Sequence, residues 1–265
     1  MKKILFLTNL ENSRANEDLY LVDILKSYFE IIVSHPLECK KYLDSVEGVI
    51  IRNIWPTHEY LEDWREVIRL LKTSGKPTHN PLTGKGDLKG KGYLVELFSK
   101  GYPVIPTVDS LNDLGKLPET DFYFIKPKES CDGIGSKKLT RNELETVDLT
   151  EHIIQPFLEF GSEPSFFYLD NKFFYGITMP NRLSNKVIEL YEPTAADFEF
   201  AQSFVDWNAL SYGLQRIDAL RTKDGGLLLT EIEDESETLY LLDLDEPDRI
   251  RITGQIINSI KAVFG

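Results

Sequence analysis

Three carboxylates near the C-terminus, Asp218, Glu231 and Glu233, lie in the stretch RIDALRTKDGGLLLTEIE. The stretch reads as two strands joined by a turn at residues 222–226, where Gly225 and Gly226 tolerate the positive φ of a tight hairpin. Side chains alternate along a strand, so Glu231 and Glu233 share a face, and Asp218 on the partner strand can join them. Three carboxylates so placed repel one another unless a cation sits among them. Hard oxygen donors of this kind suit Mg²⁺, which takes a few carboxylates together with the phosphates of a nucleotide. The competing reading is a solvated acidic hairpin on an acidic protein. Further upstream, residues 121–127 (DFYFIKP) form an apolar strand ending near Lys126, followed by the small-residue loop KESCDGIGS. Such a loop presents backbone N–H groups that can wrap phosphate oxygens, and the lysine adds a point charge. It is not the GxxxxGK[ST] loop, whose lysine follows its glycines. A third segment, EHIIQPFLE followed by Gly161-Ser162-Glu163, reads as a strand that Pro156 breaks. Backbone groups freed at such a break can pair with the edge of a purine. The plainer reading is a strand end with a bend.

In this order the three pieces resemble the ATP-grasp family, and the resemblance covers nearly the whole chain. Asn80, then Gly90-Lys91 and the run from Tyr93 to Pro106 and Thr107, looks like the family's first ATP lysine, its helix and the strand entering the lid. The chain is most similar to a prokaryotic branch related to glutathione synthetase, which shows a similar Arg/Trp strand end (Ile51-Arg52-Asn53-Ile54-Trp55) and a similar Gln-Pro-Phe-Leu hinge. It departs from the family pattern at three places. Glu233 stands where many relatives have asparagine, Gln155 where many have glutamate, and Asp132 adds negative charge inside the lid loop.

The resemblance implies an α/β protein passing to α+β in its C-terminal part. An N-terminal doubly wound unit (residues 1–82) would precede an ATP-grasp domain (83–265), with a lid at about 107–155 and a C-terminal antiparallel sheet. It implies an ATP- and Mg²⁺-dependent ligase that joins a carboxylate to an amine through an acyl phosphate. Lys91 and Lys126 would hold the α- and β-phosphates. Ser130, Gly133 and Gly135 would close over the β- and γ-phosphates. Gln155, Phe157 and Leu158 would present backbone to adenine, and Glu163 would accept from the ribose. Asp218, Glu231 and Glu233 would bind one or two Mg²⁺, with Mn²⁺ able to substitute. Arg216 shares a face with Asp218 and either stabilises the transferring phosphoryl group or pairs with one of the acids. Arg182 sits past a strand end where related ligases place a basic residue against substrate or γ-phosphate. Arg52 lies at a strand's C-terminal end, where α/β folds place ligands, and a surface ion pair is the alternative. Trp55 reads as packing. The rival classes are an ATP-binding sensor or scaffold without ligase activity, and an ATP-dependent kinase on the same fold.

Composition narrows the partners. The chain has 265 residues, of which 42% are hydrophobic and 28% charged, with a net charge of −13. That length allows a sizeable core in two or three joined lobes. A chain this acidic is a poor nucleic-acid binder, because phosphate neutralisation needs a basic face. No stretch approaches the roughly 20 apolar residues of a membrane helix. The N-terminal run MKKILFL meets Thr8-Asn9 with no cleavage site, so it reads as a buried first strand rather than a signal peptide. Cys39 and Cys131 form neither a metal spacing nor a disulfide scaffold, and the four histidines suit no zinc site. The expected partners are small-molecule or peptide carboxylates and amines, the expected state a monomer or homodimer, and the expected compartment the cytoplasm.

The elements that must position these residues are read from periodicity. Strands are expected at 4–7, 30–34 and 48–51, with helices at 16–28 and 58–71 around them. No GxGxxG marks a dinucleotide site there. The Gly/Lys-rich stretch 81–92 reads as a connecting loop, followed by a helix at 93–99. Antiparallel strands are expected at 165–169 and 172–178 around an Asp170-Asn171 turn. Helices are expected at 198–210, with Phe200, Phe204 and Trp207 in the core, and at 250–264.

Overall fold

The first layer is built on β1 (Lys3–Leu7). Ile4 and Phe6 point to one face, Leu5 and Leu7 to the other, and all four are fully buried. A strand apolar on both faces must be covered on both. In the computed structural model, which describes residues 1–130, 133–179, 188–235 and 237–265, this is what happens. After β1 come α1 (Ala15–Leu25), β2 (Glu30–Ser34), α2 (Cys39–Tyr42), β3 (Gly48–Ile51), α3 (Leu61–Ser74) and β4 (Thr78–His79). The strands form a parallel sheet of order β2-β1-β3-β4. Ile4, Phe6 and Ile50 pack against Leu21, Val22 and Leu25 of α1. Leu5, Leu7, Val49 and Ile51 pack against Trp64, Val67 and Leu71 of α3. The doubly wound unit is therefore present. Its helix α3 begins at Leu61 rather than 58 because residues 57–59 form a separate 3₁₀ turn.

Two further sheets make the rest. After α4 (Tyr93–Ser99), β5 (Phe122–Pro127), β6 (Lys137–Thr140), α5 (Arg141–Leu144) and β7 (His152–Pro156) form a small unit with sheet order β6-β5-β7. It has its own core, in which Val108, Tyr123, Ile125, Leu144 and Ile154 meet. Then come β8 (Glu163–Leu169), β9 (Lys172–Met179), β10 (Glu189–Leu190), α6 (Ala195–Asn208), β11 (Leu214–Arg221) and β12 (Leu227–Glu233). Their strands form an antiparallel sheet of order β10-β9-β8-β11-β12. The turn at Asp170-Asn171 has positive φ at both residues. Helix α6 starts at Ala195, earlier than periodicity suggests, because Thr194 and Asp197 form a capping box. Its Phe204 is fully buried, with Phe200 and Trp207 packed beside it. The closing helix α7 (Glu246–Phe264) is capped by Asp245, which accepts from the Asp248 N–H.

Two chain crossings hinge the small sheet to the large one. Ile105 donates to the Leu229 carbonyl, and three residues on, Val108 and Ile154 exchange backbone hydrogen bonds. On the return, Gly161 donates to the Arg221 carbonyl and Arg221 to that of Ser162. The cleft between the sheets is thus bounded by backbone ties at both ends.

Strand β4 meets α7 through a buried polar contact, His79 Nε2 at 3.2 Å from Ser259 Oγ. Burial pushes the His79 imidazole down to about 4, with Asp170 only partly opposing it. A base with a depressed folded pKa favours the neutral form in the folded state. Its contribution is complete above about pH 6.5 and is lost as the pH falls through about 4. The shift corresponds to roughly 3 kcal/mol at 1.36 kcal/mol per unit. Denaturant unfolding of wild type and His79→Gln between pH 7 and 4 should show a shallower acid loss in the variant. Identical slopes would refute this account.

Candidate active site

The floor of the cleft is set by the pairing of β11 with β12. Ile217 lies opposite Ile232 and both enter the core, so the flanking residues face the other way. That places Asp218 opposite Glu231 and Arg216 opposite Glu233, with a bulge after Asp218. The guanidinium of Arg216 donates from Nε to Asp218 Oδ1 and from Nη2 to Oδ2, both at 2.8 Å. Nη2 also donates to Glu233 Oε1 at 2.5 Å, and Nη1 to the Thr238 carbonyl at 3.0 Å. The Lys91 ammonium donates to Glu231 Oε1. The Arg216 alternative of an ion pair with the acids is therefore realised in this arrangement.

A residue that spacing did not single out joins this floor. Asp87 lies 3.7 Å from Lys91 Nζ, and Asp87, Glu231 and Glu233 each offer an oxygen within 4.8 Å of the others'. It arrives on the Gly/Lys-rich loop, which is pinned to the end of β12. Gly86 N–H donates to Asp234 Oδ2 at 2.8 Å and Leu88 N–H to Oδ1 at 3.1 Å. A Cβ at Gly86 would lie 2.5 Å from the Ile232 carbonyl oxygen, so only glycine permits this approach. The donor set is all carboxylate oxygen and short of countercharge, which fits a hard divalent cation.

Burial and charge pull these acids apart. Burial opposes ionisation of Glu231, but Lys91 and the contact with Asp87 outweigh it and hold the carboxyl at about 2. Burial, then the Glu231 charge, pushes Asp87 well up. Burial also pushes Glu233 well up, only partly countered by Arg216. Burial disfavours charged Arg216, yet Asp218 and Glu233 raise it well above its ordinary value.

The small sheet forms the roof. One cleft of about 320 Å³ is lined by Lys91, Lys126, Ser130, Gly133, Gln155, Phe157, Leu158 and Glu163 together with Arg216, Asp218, Glu231 and Glu233. Gly135 is not among these lining residues. Its φ is +76°, and a Cβ there would meet Pro127 Cγ at 2.8 Å, so the loop requires glycine. Ser130 Oγ donates to the Pro127 carbonyl at 3.1 Å. The Gln155 side chain is buried and donates to Thr107 Oγ1 at 2.9 Å.

The expected ladder break at Pro156 is not observed. Pro156 pairs with Tyr123, and Phe157 N–H still donates to the Phe122 carbonyl at 2.9 Å. N–H directions alternate along a strand, so the proline nitrogen points away from β5, to the side where Val108 pairs with Ile154, and no bond of the β5–β7 ladder is lost. Phe157 N–H is therefore spent within the sheet, and its ring lies under Lys138 Nζ at 3.7 Å.

Arg52 is placed elsewhere. It is 2% exposed and lines neither cleft. Its Nη1 donates to Glu237 Oε1 at 2.7 Å and Nη2 to Glu17 Oε1 at 3.1 Å, with Nε 3.5 Å from Asp18 Oδ1. Both readings made from sequence are corrected. The residue is an ion pair, but a buried one, and no face of it is open to substrate. Trp55 lines a second cleft of about 220 Å³, which shares Lys91 and Ser130 with the first and includes Trp64, Asp87, Lys128 and Glu235. Arg182 and Asp132 lie outside the described residues.

No protein-family model matches the chain, and no curated protein sequence does. Solved structures do match. The crystal structure of D-cycloserine synthetase DcsG has a TM-score of 0.76 at 17% identity, covering 97% of this chain and 99% of that one. D-alanine–D-alanine ligase from Bacillus anthracis complexed with ATP has a TM-score of 0.68 at 15% identity, covering 100% of both chains. The ATP-grasp ligase PsnB, complexed with minimal precursor, has a TM-score of 0.66 at 13% identity, again covering 100% of both. The chain has the fold of the ATP-grasp ligases along its whole length.

The Arg52 cluster has a thermodynamic signature. Removing one partner of a buried ion network leaves uncompensated buried charge and costs about 3–5 kcal/mol. Arg52→Met should lower the unfolding free energy by about that much. A change within about 0.5 kcal/mol, as at a surface site, would overturn the buried-strut assignment.

Proposed function

We propose that the protein is an ATP- and Mg²⁺-dependent ligase that joins a carboxylate to an amine through an acyl phosphate. The observation that carries this is the convergence, in one cleft, of Lys91, Lys126, the Ser130–Gly133 loop and the acidic floor. Their separation in sequence makes a chance solvated hairpin a poor account of the floor. In this reading Lys91 and Lys126 hold the α- and β-phosphates, and Ser130, Gly133 and Gly135 close over the β- and γ-phosphates. The backbone of residues 155–158 faces the adenine, and Glu163 accepts from the ribose. The lid, about residues 107–155, shields the acyl phosphate from water. Bound Mg²⁺ would neutralise charge on the transferring phosphoryl group. Arg216 is placed to stabilise that group once it exchanges a carboxylate for phosphate oxygen. Arg182 is retained as a substrate or γ-phosphate contact.

The second cleft meets the first at Lys91 and Ser130, the phosphate end. The acid and the amine would meet there, flanked by Trp55, Trp64 and Glu235. Small-molecule substrates and a peptide end both suit such a position. The reading implies the cytoplasm, where ATP is held. No described helix is long and apolar enough to cross a membrane.

Mg-ATP at millimolar concentration should raise the melting temperature, by mass action on the folded state. Lys126→Ala should shrink that shift, whereas Lys128→Ala should matter less, because Lys128 pairs with Asp109 at 3.2 Å. With an acid and amine panel, wild type should release free phosphate and ADP together. A stable phosphorylated product would identify a kinase instead. Absence of any shift from folded wild type would count against nucleotide binding altogether.

A further inference from the structure

Glu235 is a buried carboxylate with one oxygen unengaged. It is 8% exposed and lies on the lining of the second cleft. Its Oε1 accepts from Trp64 Nε1 at 2.7 Å, which anchors the carboxyl. Its Oε2 accepts from no described group and is not sealed from solvent. A buried carboxylate is ordinarily paired, because leaving it alone forfeits its hydration. The other acids buried to this degree follow that rule. Glu17, Asp18 and Glu237 surround Arg52, and Asp197 pairs with Arg221. Asp234 accepts from the Gly86 and Leu88 N–H groups. Glu235 has the Trp64 indole and, among the described residues, no cation. The cations around the same cleft are engaged elsewhere. Arg65 pairs with Glu62 and Glu129, Lys128 with Asp109 and Lys91 with Glu231. Lys89 is exposed to solvent.

We propose that the second cleft takes a ligand carrying a positively charged nitrogen, an ammonium or guanidinium group, with Glu235 Oε2 as its counterion and the Trp55 indole beside it. Such a group supplies both the donors and the charge that Oε2 lacks. Trp55 is half-buried on the same lining, and its backbone carbonyl accepts from Asn9 Nδ2 at 2.6 Å, so the indole is carried by a fixed segment. An aromatic ring near a carboxylate attracts a cation and offers an anion or a plain alcohol nothing comparable. Burial pushes the Glu235 carboxyl up to about 8, which opposes its ionisation, and a cation at Oε2 offsets that cost. At about 220 Å³ the cleft holds a compact head group. The inference deepens the ligase reading and rests on it for one step, that the ligand is a substrate. A nitrogen that attacks an acyl phosphate must be neutral, with its lone pair free. A nitrogen held as a cation at Glu235 is therefore a second group that does not react. The substrate is then bifunctional. Its reacting group lies toward the junction at Lys91 and Ser130, and its charged nitrogen is read by Glu235. Glu235 thus sets specificity and takes no part in the chemistry.

The test is binding of cadaverine to the full chain, followed by calorimetry and tryptophan fluorescence, with circular dichroism as the folding control. Pentanediol and glutarate serve as the neutral and anionic counterparts of the same chain length. Wild type should bind one cadaverine with a change in indole emission, and neither counterpart should bind measurably. Glu235→Gln, which keeps an acceptor for Trp64 Nε1, should weaken cadaverine binding at least tenfold. Glu30→Gln, which removes an exposed acid elsewhere, should leave it within about twofold. The proposal is overturned if wild type binds no cadaverine, or if Glu235→Gln binds it as wild type does. It is equally overturned if pentanediol binds wild type within about twofold of cadaverine, and that arm stands even should Glu235→Gln fail to fold. A Mg-ATP thermal shift on wild type separates this inference from the ligase reading. A shift without cadaverine binding would sink the cation cleft and leave the ligase reading intact. Cadaverine binding without a shift would leave the cation cleft standing and remove its role as a substrate site.

Discussion

The pairing of Ile217 with Ile232 is the constraint on which the rest depends. These two side chains enter a core with Phe166, Tyr168 and Phe204, and a slip of one residue would bring Asp218 or Glu231 into that core. The apolar face thus fixes the register, and the register puts Asp218 against Glu231 on the opposite face. Like charges directly opposed across a ladder are destabilising on their own. The fold offsets this locally, with Arg216 forked onto Asp218 and Lys91 brought in from a segment far upstream. The site is therefore a strained polar face held in place by an unstrained apolar one.

The segment beyond β12 is tied to the N-terminal unit and the loop that follows it as well as to its own sheet. Asp234 binds the loop carrying Asp87, and Glu235 accepts from Trp64 Nε1 at 2.7 Å. Glu237 accepts from Arg52 and Asn80, and the Leu239 and Leu241 N–H groups donate to Glu17. Asn80 also pairs with both backbone groups of Leu214 at the start of β11. Both ends of the β11–β12 pair are thereby tied to the parallel sheet. A buried network of this kind contributes little net stability compared with apolar packing of equal volume. Its value is positional: it fixes where Thr238 and Tyr240 lie, and these are the neighbours of the Arg216 guanidinium.

The sequence showed the architecture well where periodicity was clean. β1, β2 and β3 and the α4 helix were legible because their apolar residues alternate or recur without interruption. Helix starts were less so, since the capping geometry at Thr194 and Asp245 begins a helix ahead of its first large apolar residue. The cleft was legible in kind: two lysines, a glycine loop and an acidic hairpin read as separate pieces come together. Asp87 was not, because it sits in a loop whose composition suggested only a connection. The signal that could have found it is the Gly86-Asp87 pair, a glycine where the backbone must approach another strand closely. Arg52 was misplaced for a related reason. A strand's C-terminal end predicts a ligand position, but nothing local reveals that Glu17 and Glu237, distant in sequence, will enclose it.

The charge distribution also constrains how an acidic protein could accept an anion. The chain carries a net charge of −13, and its cleft floor is acidic, so phosphate oxygens gain little from the field of the molecule as a whole. The favourable groups are local: Lys91 at the junction, Lys126 on the roof and Arg216 on the floor. Lys91 and Arg216 are committed to carboxylates in the resting arrangement. For Lys91 to engage a phosphate it must loosen from Glu231, which then loses its countercharge in a buried setting where that loss is expensive. A divalent cation bound beside Glu231 would remove this conflict. Lys91 could then change partners without leaving a bare carboxylate behind, and anion binding on this floor would become an exchange of ion pairs rather than the breaking of one.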